Sequence, residues 1–328
     1  MKAQHSRRTV QLAIWGSVFR LENTTERYLE ELFETFAGTI QSRADASSPD
    51  LTVVFEEGRL CPSGVVTGPS LVRHRGGSVA RKVLLDKATL DAKAVNRDIS
   101  AIYSGADLAI YVALPTLFVV TPKHVVFFGD EAPPLLLSDV VENWLISKAF
   151  SRGHLMVHCA GWIADGRVRL VVGGSGAGKT TQLFTQMAKG GQFFSNDRAF
   201  VRAEGQQLLA RSFPVPVNVG CGTIRALGLD LPHFDLPNDH KIRLTAKQAV
   251  ERYGGDYDTW FPVKAIYCAG LEDLNGNLYW QGDDCHPFWN VVFRPKKEFE
   301  GRGEVERLIQ ERMRACGREP NGRIGNPC

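Results

Sequence analysis

The chain has 328 residues, a length that predicts two domains at roughly 150 residues each. Its hydrophobic share of 44% and charged share of 23% are those of an ordinary globular protein, and they argue against a disordered or collagen-like chain. The formal net charge of +3 is too small to predict a nucleic-acid partner. The sequence contains no apolar run of about 18 residues, so it predicts no membrane span. Its N-terminal apolar stretch is interrupted, which predicts no signal peptide.

The cysteines indicate the compartment. There are 7 of them, an odd number, and none of them forms a CxxC pair. This spacing favours free thiols over a disulfide framework or a zinc site. We therefore expect a cytoplasmic protein.

The first half of the chain is typical of a small α+β domain, which we place at residues 1–136. Alternating apolar residues at 10, 12 and 14 predict a half-buried strand. Asn23 stands three residues before Glu26, a spacing typical of a capping box, and predicts that a helix begins there. Further runs predict strands at 51–55, 82–85, 108–114, 117–120 and 125–128.

The second half is predicted to be an α/β domain at 137–318, followed by a flexible tail at 319–328. Two strands at 155–164 and 167–172 are separated by Asp165-Gly166, a strong signal for a two-residue hairpin turn. The remaining elements are a helix at 179–188, a strand at 192–195 that ends at Asn196-Asp197, and a helix at 304–314.

A phosphate-binding loop connects the hairpin to the helix. The sequence matches GxxxxGK[ST] at Gly173, Gly174, Ser175, Gly176, Ala177, Gly178, Lys179 and Thr180, and Thr181 follows. Glycines let successive backbone N–H groups face one anion, and the helix that follows adds its positive N-terminal end. Lys179 is expected to reach the β- and γ-phosphates, and the Thr180 hydroxyl to bind Mg²⁺. The motif therefore predicts a nucleoside triphosphate site.

Two side chains outside the loop are candidate catalytic groups. Asp197 follows the strand at 192–195, so its carboxylate is expected at the carboxyl end of that strand, where α/β sheets bind their ligands. There it would hold Mg²⁺ or accept a proton, although a simple turn aspartate is the alternative. His158 lies on the outer strand of the hairpin, and its imidazole would assist proton transfer or orient an acid, unless it is structural.

Three cations are candidate contacts for phosphate or acceptor. Lys241 and Arg243 alternate in a short basic segment, and in an extended strand both would point the same way. Arg225 lies in a glycine-rich segment at 220–228. The alternative for each is a solvated surface position.

The sequences LMVHCAG, GGSGAGKT and FFSNDRAFV, in this order, resemble the HPr kinase/phosphorylase-like family. The motifs cover about residues 145–215, with a looser similarity to about 270. The resemblance implies a P-loop core shared with ATP-dependent phosphoenolpyruvate carboxykinases, and ATP and Mg²⁺ as cofactors. It assigns His158 to the family's histidine position and Asp197 to its second acidic position. It also implies that the chain can form a homo-oligomer.

The sequence departs from the family at Asn196, where the family has an aspartate. That acidic pair supplies the Mg²⁺ contact and the catalytic base, and an amide cannot act as a base near neutral pH. Four alternatives stay open: Asp197 acts alone, His158 takes the proton, the acceptor needs little base assistance, or catalysis is lost.

The leading hypothesis is an ATP- and Mg²⁺-dependent kinase that phosphorylates a hydroxyl. Its acceptor would be a Ser or Thr of a peptide or protein, or a small-molecule alcohol. The second hypothesis is a nucleotide-binding accessory protein of a biosynthetic assembly with little phosphotransfer. The third is a hydrolase-type NTPase, against which stands the lack of a separate downstream acidic strand end.

Overall fold

The computed structural model describes residues 7–42, 48–56, 62–66, 80–85, 88–94, 99–104, 108–113, 116–129, 134–173, 176–231, 240–269 and 301–314. The chain is a mixed α/β protein with two compact units. Of the described residues, those up to Phe33 and from Ile40 to Ser147 form the first unit, and Glu34–Thr39 and those from Lys148 onward form the second. The domain ranges 1–136 and 137–318 stay a prediction. The tail at 319–328 lies outside the described residues. Within the described part of the chain, no helix is long and apolar enough to cross a membrane.

The first unit is built on one sheet. Its strands are β1 (Arg8–Ile14), β2 (Ser17–Thr24), β3 (Ile40–Ser42), β4 (Leu51–Glu56), β5 (Pro62–Val66), β6 (Ala80–Leu85), β7 (Ala88–Ala94), β8 (Ile99–Ser104), β9 (Ala109–Ala113), β10 (Thr116–Val120) and β11 (His124–Phe128). Their order in the sheet is β3-β1-β2-β4-β11-β10-β9-β8-β7-β6-β5. Strand β4 pairs in parallel with β2 and β11, and the other neighbours are antiparallel. Helix α1 is Glu26–Thr35, and helix α2 is Pro134–Ser151.

A row of aromatic rings forms part of the core of the first unit. Tyr28 of α1 stacks on Phe55 of β4 at 4.3 Å between ring centroids, and Phe55 lies 5.3 Å from Phe127 of β11. Phe118 of β10 continues the row at 5.6 Å from Phe127, and Tyr111 of β9 follows at 5.3 Å. Neighbouring strands thus each add one ring, and offset aromatic pairs add about 0.5–1.5 kcal/mol beyond the burial of their area.

The structure confirms most predicted elements of the first unit and corrects one. The strands predicted at 51–55, 82–85, 108–114, 117–120 and 125–128 are present, with ends that differ by at most two residues. The predicted helix cap at Asn23 is wrong, because Asn23 lies within β2 with a positive φ of 58°. The carbonyl of Thr25 accepts from the Tyr28 N–H at 3.2 Å instead, and the helix begins at Glu26.

The second unit is built on a closed five-stranded barrel. The strands of the second unit, five of which form the barrel, are β12 (Leu155–Ala164), β13 (Arg167–Val172), β14 (Gln192–Glu204), β15 (Gln207–Ser212), β16 (Val217–Gly220), β17 (Lys241–Leu244) and β18 (Phe261–Cys268). Its helices are α3 (Lys179–Ala188), α4 (Cys221–Leu227), α5 (Ala246–Tyr253) and α6 (Arg302–Arg314). The barrel order is β12-β13-β18-β15-β14, and β16 pairs with β17 in a separate ribbon. The helix predicted at 179–188 is confirmed, and the one predicted at 304–314 begins two residues earlier.

The predicted hairpin at Asp165-Gly166 is confirmed. Both turn residues have positive φ, 54° and 67°, as a tight two-residue hairpin turn requires. Strand β12 pairs with β13 on one side, with Cys159 opposite Val172. On its other side β12 pairs with β14, with Cys159 opposite Asp197. Strand β12 therefore connects the strand that leads into the phosphate loop with the strand that carries Asp197.

The prediction that a strand ends at Asn196-Asp197 is wrong. Strand β14 runs through both residues to Glu204, so Asp197 lies in the middle of a strand. The physical reason is the length of β12, which extends beyond its pairing with β13 and keeps β14 paired as far as Leu155↔Val201. An inter-strand ladder of this length overrides the local preference of Asn and Asp for turns.

Helix α3 is fixed to the barrel by its apolar face. Leu183 and Phe184 are 0% and 1% exposed, and they belong to one cluster with Trp162 of β12 and Phe193 of β14. Burying a side chain of this size contributes roughly 1.5–3 kcal/mol relative to leaving it in water. The helix that follows the phosphate loop is therefore held on the same strands that carry His158 and Asp197.

Candidate functional site

The phosphate loop begins at a position that only glycine can occupy. Gly173 follows the last residue of β13 and has a φ of 151°. A Cβ added there would lie 2.4 Å from the carbonyl oxygen of Ala269, far inside van der Waals contact. The chain can leave the barrel and turn toward α3 only because this residue has no side chain.

The loop ends in the first turn of α3. Gly178 has a left-handed conformation with φ 88° and caps the helix, which begins at Lys179. Gly176 also has a positive φ, of 81°. Gly174 and Ser175 lie outside the described residues. The left-handed glycines and the helix N-terminus make the arrangement of exposed N–H groups that binds phosphate in other proteins.

Lys179 is held at the loop. Its Nζ donates to the carbonyl oxygen of Gly173 at 2.7 Å, so the side chain folds back over the loop that it follows. Burial lowers the pKa of the Lys179 ammonium, and the Asp197 carboxylate opposes that shift. The ammonium therefore gains from any negative charge that enters the loop, because such a charge compensates its lost hydration.

The threonines of α3 join the loop to two other elements. The Thr180 hydroxyl donates to the Oδ1 atom of Asn196 at 2.9 Å, and Asn196 is 8% exposed. The Thr181 hydroxyl lies 2.9 Å from the Thr223 hydroxyl of α4. The loop threonine thus bonds to the neutral amide of Asn196, the residue before Asp197.

Asp197 adopts a strained backbone conformation. Its φ is 142°, in a region that residues with a side chain rarely adopt. Just before it, the Ser195 hydroxyl donates to the Arg198 carbonyl at 2.5 Å, a local bond across the distorted segment. A conformation of this kind costs about 1–3 kcal/mol, and such residues concentrate at functional sites.

Two nitrogen-bearing side chains flank the Asp197 carboxylate. His158 Nε2 lies 3.3 Å from Oδ1, and Arg198 Nε lies 3.0 Å from Oδ2. The His158 and Asp197 side chains keep 32% and 41% of their exposure, so solvent reaches the pair. One side chain of β12 and one of β14 thus lie against the two carboxylate oxygens, and the group remains accessible.

Electrostatics connect this pair to the phosphate loop. Burial raises the pKa of the Cys159 thiol above its ordinary range; the Asp197 carboxylate raises it further, and the Lys179 ammonium opposes the shift. Cys159 is adjacent to His158 in β12 and is completely buried. Asp197 and Lys179 therefore act on the same buried thiol, which places the carboxylate and the loop ammonium in one electrostatic environment.

The donor atoms of the site suit a hard divalent cation. Thr180 supplies a hydroxyl oxygen, Asn196 an amide oxygen and Asp197 a carboxylate, and oxygens are the ligands that Mg²⁺ prefers. Mg²⁺ usually binds few protein groups and takes its remaining ligands from water and phosphate. The described residues contain no group of three or more His, Cys, Asp or Glu side chains that could hold a metal.

The three predicted cations lie on other elements. Arg225 is exposed on α4, and Lys241 and Arg243 are exposed at alternate positions of β17. The two side chains of β17 point the same way, as an extended segment requires. Their contact with a phosphate or an acceptor stays a prediction.

The structure adds three residues that the sequence did not single out. Arg198 flanks the carboxylate of Asp197, Cys159 is the ladder partner of Asp197, and Thr223 contacts the second threonine of α3. Arg198 and Cys159 are sequence neighbours of Asp197 and His158, so their positions were available as a signal. Thr223 comes from a segment 42 residues beyond Thr181, and only the fold brings the two together.

No protein-family model matches the sequence, and no curated protein matches it. Among solved structures, the chain is similar to the HPr(Ser) kinase/phosphatase from Coxiella burnetii, with 16% sequence identity and a TM-score of 0.24. The similarity covers 37% of this chain and 72% of that chain.

Proposed function

We propose that the protein is an ATP- and Mg²⁺-dependent phosphotransferase that transfers the γ-phosphate to a hydroxyl group. The observation that carries the proposal is the His158–Asp197 pair, held beside a phosphate loop and electrostatically coupled to Lys179. The phosphate loop by itself accounts only for the binding of a nucleotide. A solvent-accessible carboxylate with both oxygens fixed, at the same place, supplies what transfer to an alcohol needs in addition.

Nucleotide binding would rest on the loop and the start of α3. The amides of Gly176–Gly178 and the N-terminal end of α3 would bind phosphate oxygens, and Lys179 would exchange its bond to Gly173 for the β- and γ-phosphates. Thr180, Asn196 and Asp197 would hold Mg²⁺, which when bound neutralises charge on the phosphates. Two observations support these roles: Thr180 already bonds to Asn196, and Asp197 is the next residue of β14.

Proton transfer would be the task of Asp197. The acceptor hydroxyl loses its proton to a carboxylate oxygen as its oxygen bonds to the γ-phosphorus and the bond to ADP breaks. His158 and Arg198 orient the carboxylate through its two oxygens. Asn196 does not accept the proton in this scheme, because its amide contributes only hydrogen bonds.

A nucleotide-binding accessory role is the second candidate, and one observation favours it. The loop threonine bonds to the neutral amide of Asn196 where a carboxylate would bind Mg²⁺ more strongly. In that case the chain would bind ATP as a structural or regulatory ligand of a biosynthetic assembly. Conversion of Asn196 to Asp would then leave transfer undetectable.

The wider assignment follows the family resemblance of the sequence. We infer ATP as the nucleotide, a peptide, protein or small-molecule alcohol as the acceptor, a cytoplasmic location and the capacity to form a homo-oligomer. The small net charge supports neither a nucleic-acid partner nor a role at an anionic membrane surface.

A ³¹P NMR time course tests the proposal. The full chain is incubated with Mg-ATP and pools of Ser/Thr peptides, hydroxy amino acids, nucleosides and sugars. We expect a new phosphate-ester resonance in one pool, absent with Lys179→Ala and present with Lys247→Ala, an exposed lysine on α5. ATP binding by calorimetry with every pool silent, also for Asn196→Asp, would replace the kinase by the accessory role.

A further inference from the structure

A second polar site lies in the same unit, in a cavity of about 530 Å³. Its charged and polar lining comes from Arg152, His154, Arg202 and Glu204, and from Gly301 at the start of α6. None of these residues belongs to the phosphate loop or to the His158–Asp197 pair. The cavity therefore needs an explanation of its own.

The cavity and the candidate active site lie along one pair of strands. His154 and Arg202 flank the first ladder pair, Leu155↔Val201, and His158 lies opposite Arg198 in the same ladder. Because side chains alternate along a strand, residues four apart share one face and lie about 13 Å apart. Met156 and Phe200, both 0% exposed, fill the intervening position on that face. A ligand in the cavity would thus be separated from the loop by packed apolar side chains.

His154 is neutral and incompletely bonded. Its ring packs edge-on against Trp260 at 4.9 Å, and its Nδ1 is buried without a hydrogen-bond partner in the described part of the chain. Burial lowers the pKa of the His154 imidazole, the charges of Arg202, Arg152 and Arg211 lower it in the same direction, and together they bring it to about 4. Of these three guanidinium groups, Arg202 pairs with Glu204 and Arg211 pairs with Asp258, whereas Arg152 adds its positive charge to the cavity wall.

Arg202 is held in place with one donor unused. Its guanidinium lies 4.5 Å from the centroid of the Trp260 ring and bonds to Glu204 at 2.8 Å. Its Nε is buried and has no hydrogen-bond partner among the described residues. The ring contact and the ion pair together hold the Arg202 guanidinium at the wall of the cavity.

Charge and helix geometry favour an anion. Arg152 adds a second, exposed guanidinium, whereas Glu204, the one acidic side chain among the described residues of the lining, already faces Arg202. The wall at Gly301 is the N-terminus of α6, a helix of 13 residues whose dipole adds positive potential. Guanidinium forks match tetrahedral oxyanions, and a phosphate dianion gains more from this potential than a carboxylate does.

We propose that this cavity is a binding site for a small molecule that carries a phosphate group, separate from the phosphate loop. Arg152 and Arg202 bind the phosphate oxygens, and His154 supplies a neutral hydrogen-bonding partner. The remaining volume accommodates the organic part of the ligand, because phosphate alone would leave most of about 530 Å³ unfilled. The site does not depend on the kinase assignment.

The probe for the test is inorganic phosphate, followed by the ring signals of His154 in ¹H–¹³C NMR spectra at pH 7.5. The His154→Gln variant assigns the signal, and sodium chloride at matched ionic strength is the reference. We expect a saturable shift of the His154 signal with phosphate. Arg152→Gln should weaken it at least about tenfold, since a charged hydrogen bond is lost. Arg167→Gln, which removes an exposed arginine of β13, should leave it unchanged.

Two further variants keep the result decisive. Phosphate also fits the loop, so Lys179→Ala must retain the His154 response if the two sites are separate. Arg202→Lys keeps the charge and loses the fork, and we expect weaker phosphate binding with normal folding. The proposal would be overturned if phosphate does not shift the His154 signal, if acetate shifts it equally, or if Arg152→Gln leaves the phosphate-induced shift unchanged. Loss of the response in Lys179→Ala would assign the phosphate to the loop and overturn it as well.

Discussion

The strands β12 and β14 carry two polar sites that differ in their charge balance. At the loop, the Asp197 carboxylate faces His158 and Arg198 and acts on Lys179. At the far end, the described lining holds Arg152 and Arg202 but one carboxylate, that of Glu204, which pairs with Arg202. The first site combines a carboxylate with a phosphate loop, as a metal-bound triphosphate requires, whereas the second has an excess of cations, as a free anion requires.

Removal of the loop ammonium should break the first site and leave the second intact. For Lys179→Ala we expect phosphotransfer to fall at least about 100-fold, because the charge that stabilises the transferring phosphate is lost. The rate of ester formation in ³¹P NMR measures this, with Lys247→Ala as the matched control. An equal loss in both variants would contradict a specific role for Lys179.

Replacement of Asn196 by aspartate should strengthen Mg²⁺ binding at the first site. For Asn196→Asp we expect Mg²⁺ to support nucleotide binding at about tenfold lower concentration, because a charged ligand replaces a neutral one next to Thr180. Titration of Mg²⁺ against binding of a fluorescent ATP analogue gives the value. An unchanged midpoint of the Mg²⁺ titration would show that residue 196 does not contact the metal.

The second site should make stability depend on pH. The folded pKa of His154 is about 4, below its ordinary value of 6.5, so the unfolded chain takes up this proton first. The part of the free energy of unfolding that depends on neutral His154 is therefore fully present above pH 6.5 and is lost as the pH falls to 4. After allowance for the partial exposure of the ring, this loss is about 1–2 kcal/mol. Urea unfolding at pH 7 and pH 5 should show a smaller loss for His154→Gln than for the native chain. An identical loss of stability in the variant and the native chain would show that His154 does not cause this pH dependence.

The strain at Asp197 predicts a reversed order of stabilities. In an ordinary strand glycine is less stable than alanine, but at a φ of 142° alanine carries the strain that glycine avoids. We expect Asp197→Gly to be about 1 kcal/mol more stable than Asp197→Ala in urea unfolding, although both lack the carboxylate. The ordinary order would show that the segment relaxes once the side chain is removed.

Much of the second unit follows from local sequence. The Asp165-Gly166 turn has positive φ at both residues, and the left-handed Gly178 starts a helix at Lys179, as GxxxxGKT predicts. Local patterns cannot give the length of a ladder, so the continuation of β14 past Asp197 was missed. The same limit applies to the cavity, because His154 and Arg202 become neighbours only through the pairing of β12 with β14.

In the first unit, local chemistry was ambiguous at one boundary. Asn23 and Glu26 match a capping box, but β2 continues to Thr24 through its pairing with β1, in which Arg8 lies opposite Thr24. Asn tolerates the left-handed conformation that this strand end requires, so the residue fits both descriptions. Only the partner strand decides between them, and sequence alone does not show it.

The Asp197→Asn variant tests the central claim most directly. Asparagine preserves size and tolerates positive φ, but it cannot accept a proton. With Mg-ATP, calorimetry should give a Kd at most about tenfold weaker than that of the native chain, because one of the three Mg²⁺ ligands becomes neutral. The phosphate-ester signal in ³¹P NMR should grow at least about 100-fold more slowly, because the proton acceptor is lost. Transfer at the native rate would contradict the assignment of Asp197 as the proton acceptor, and a parallel loss of nucleotide affinity would reduce its role to binding.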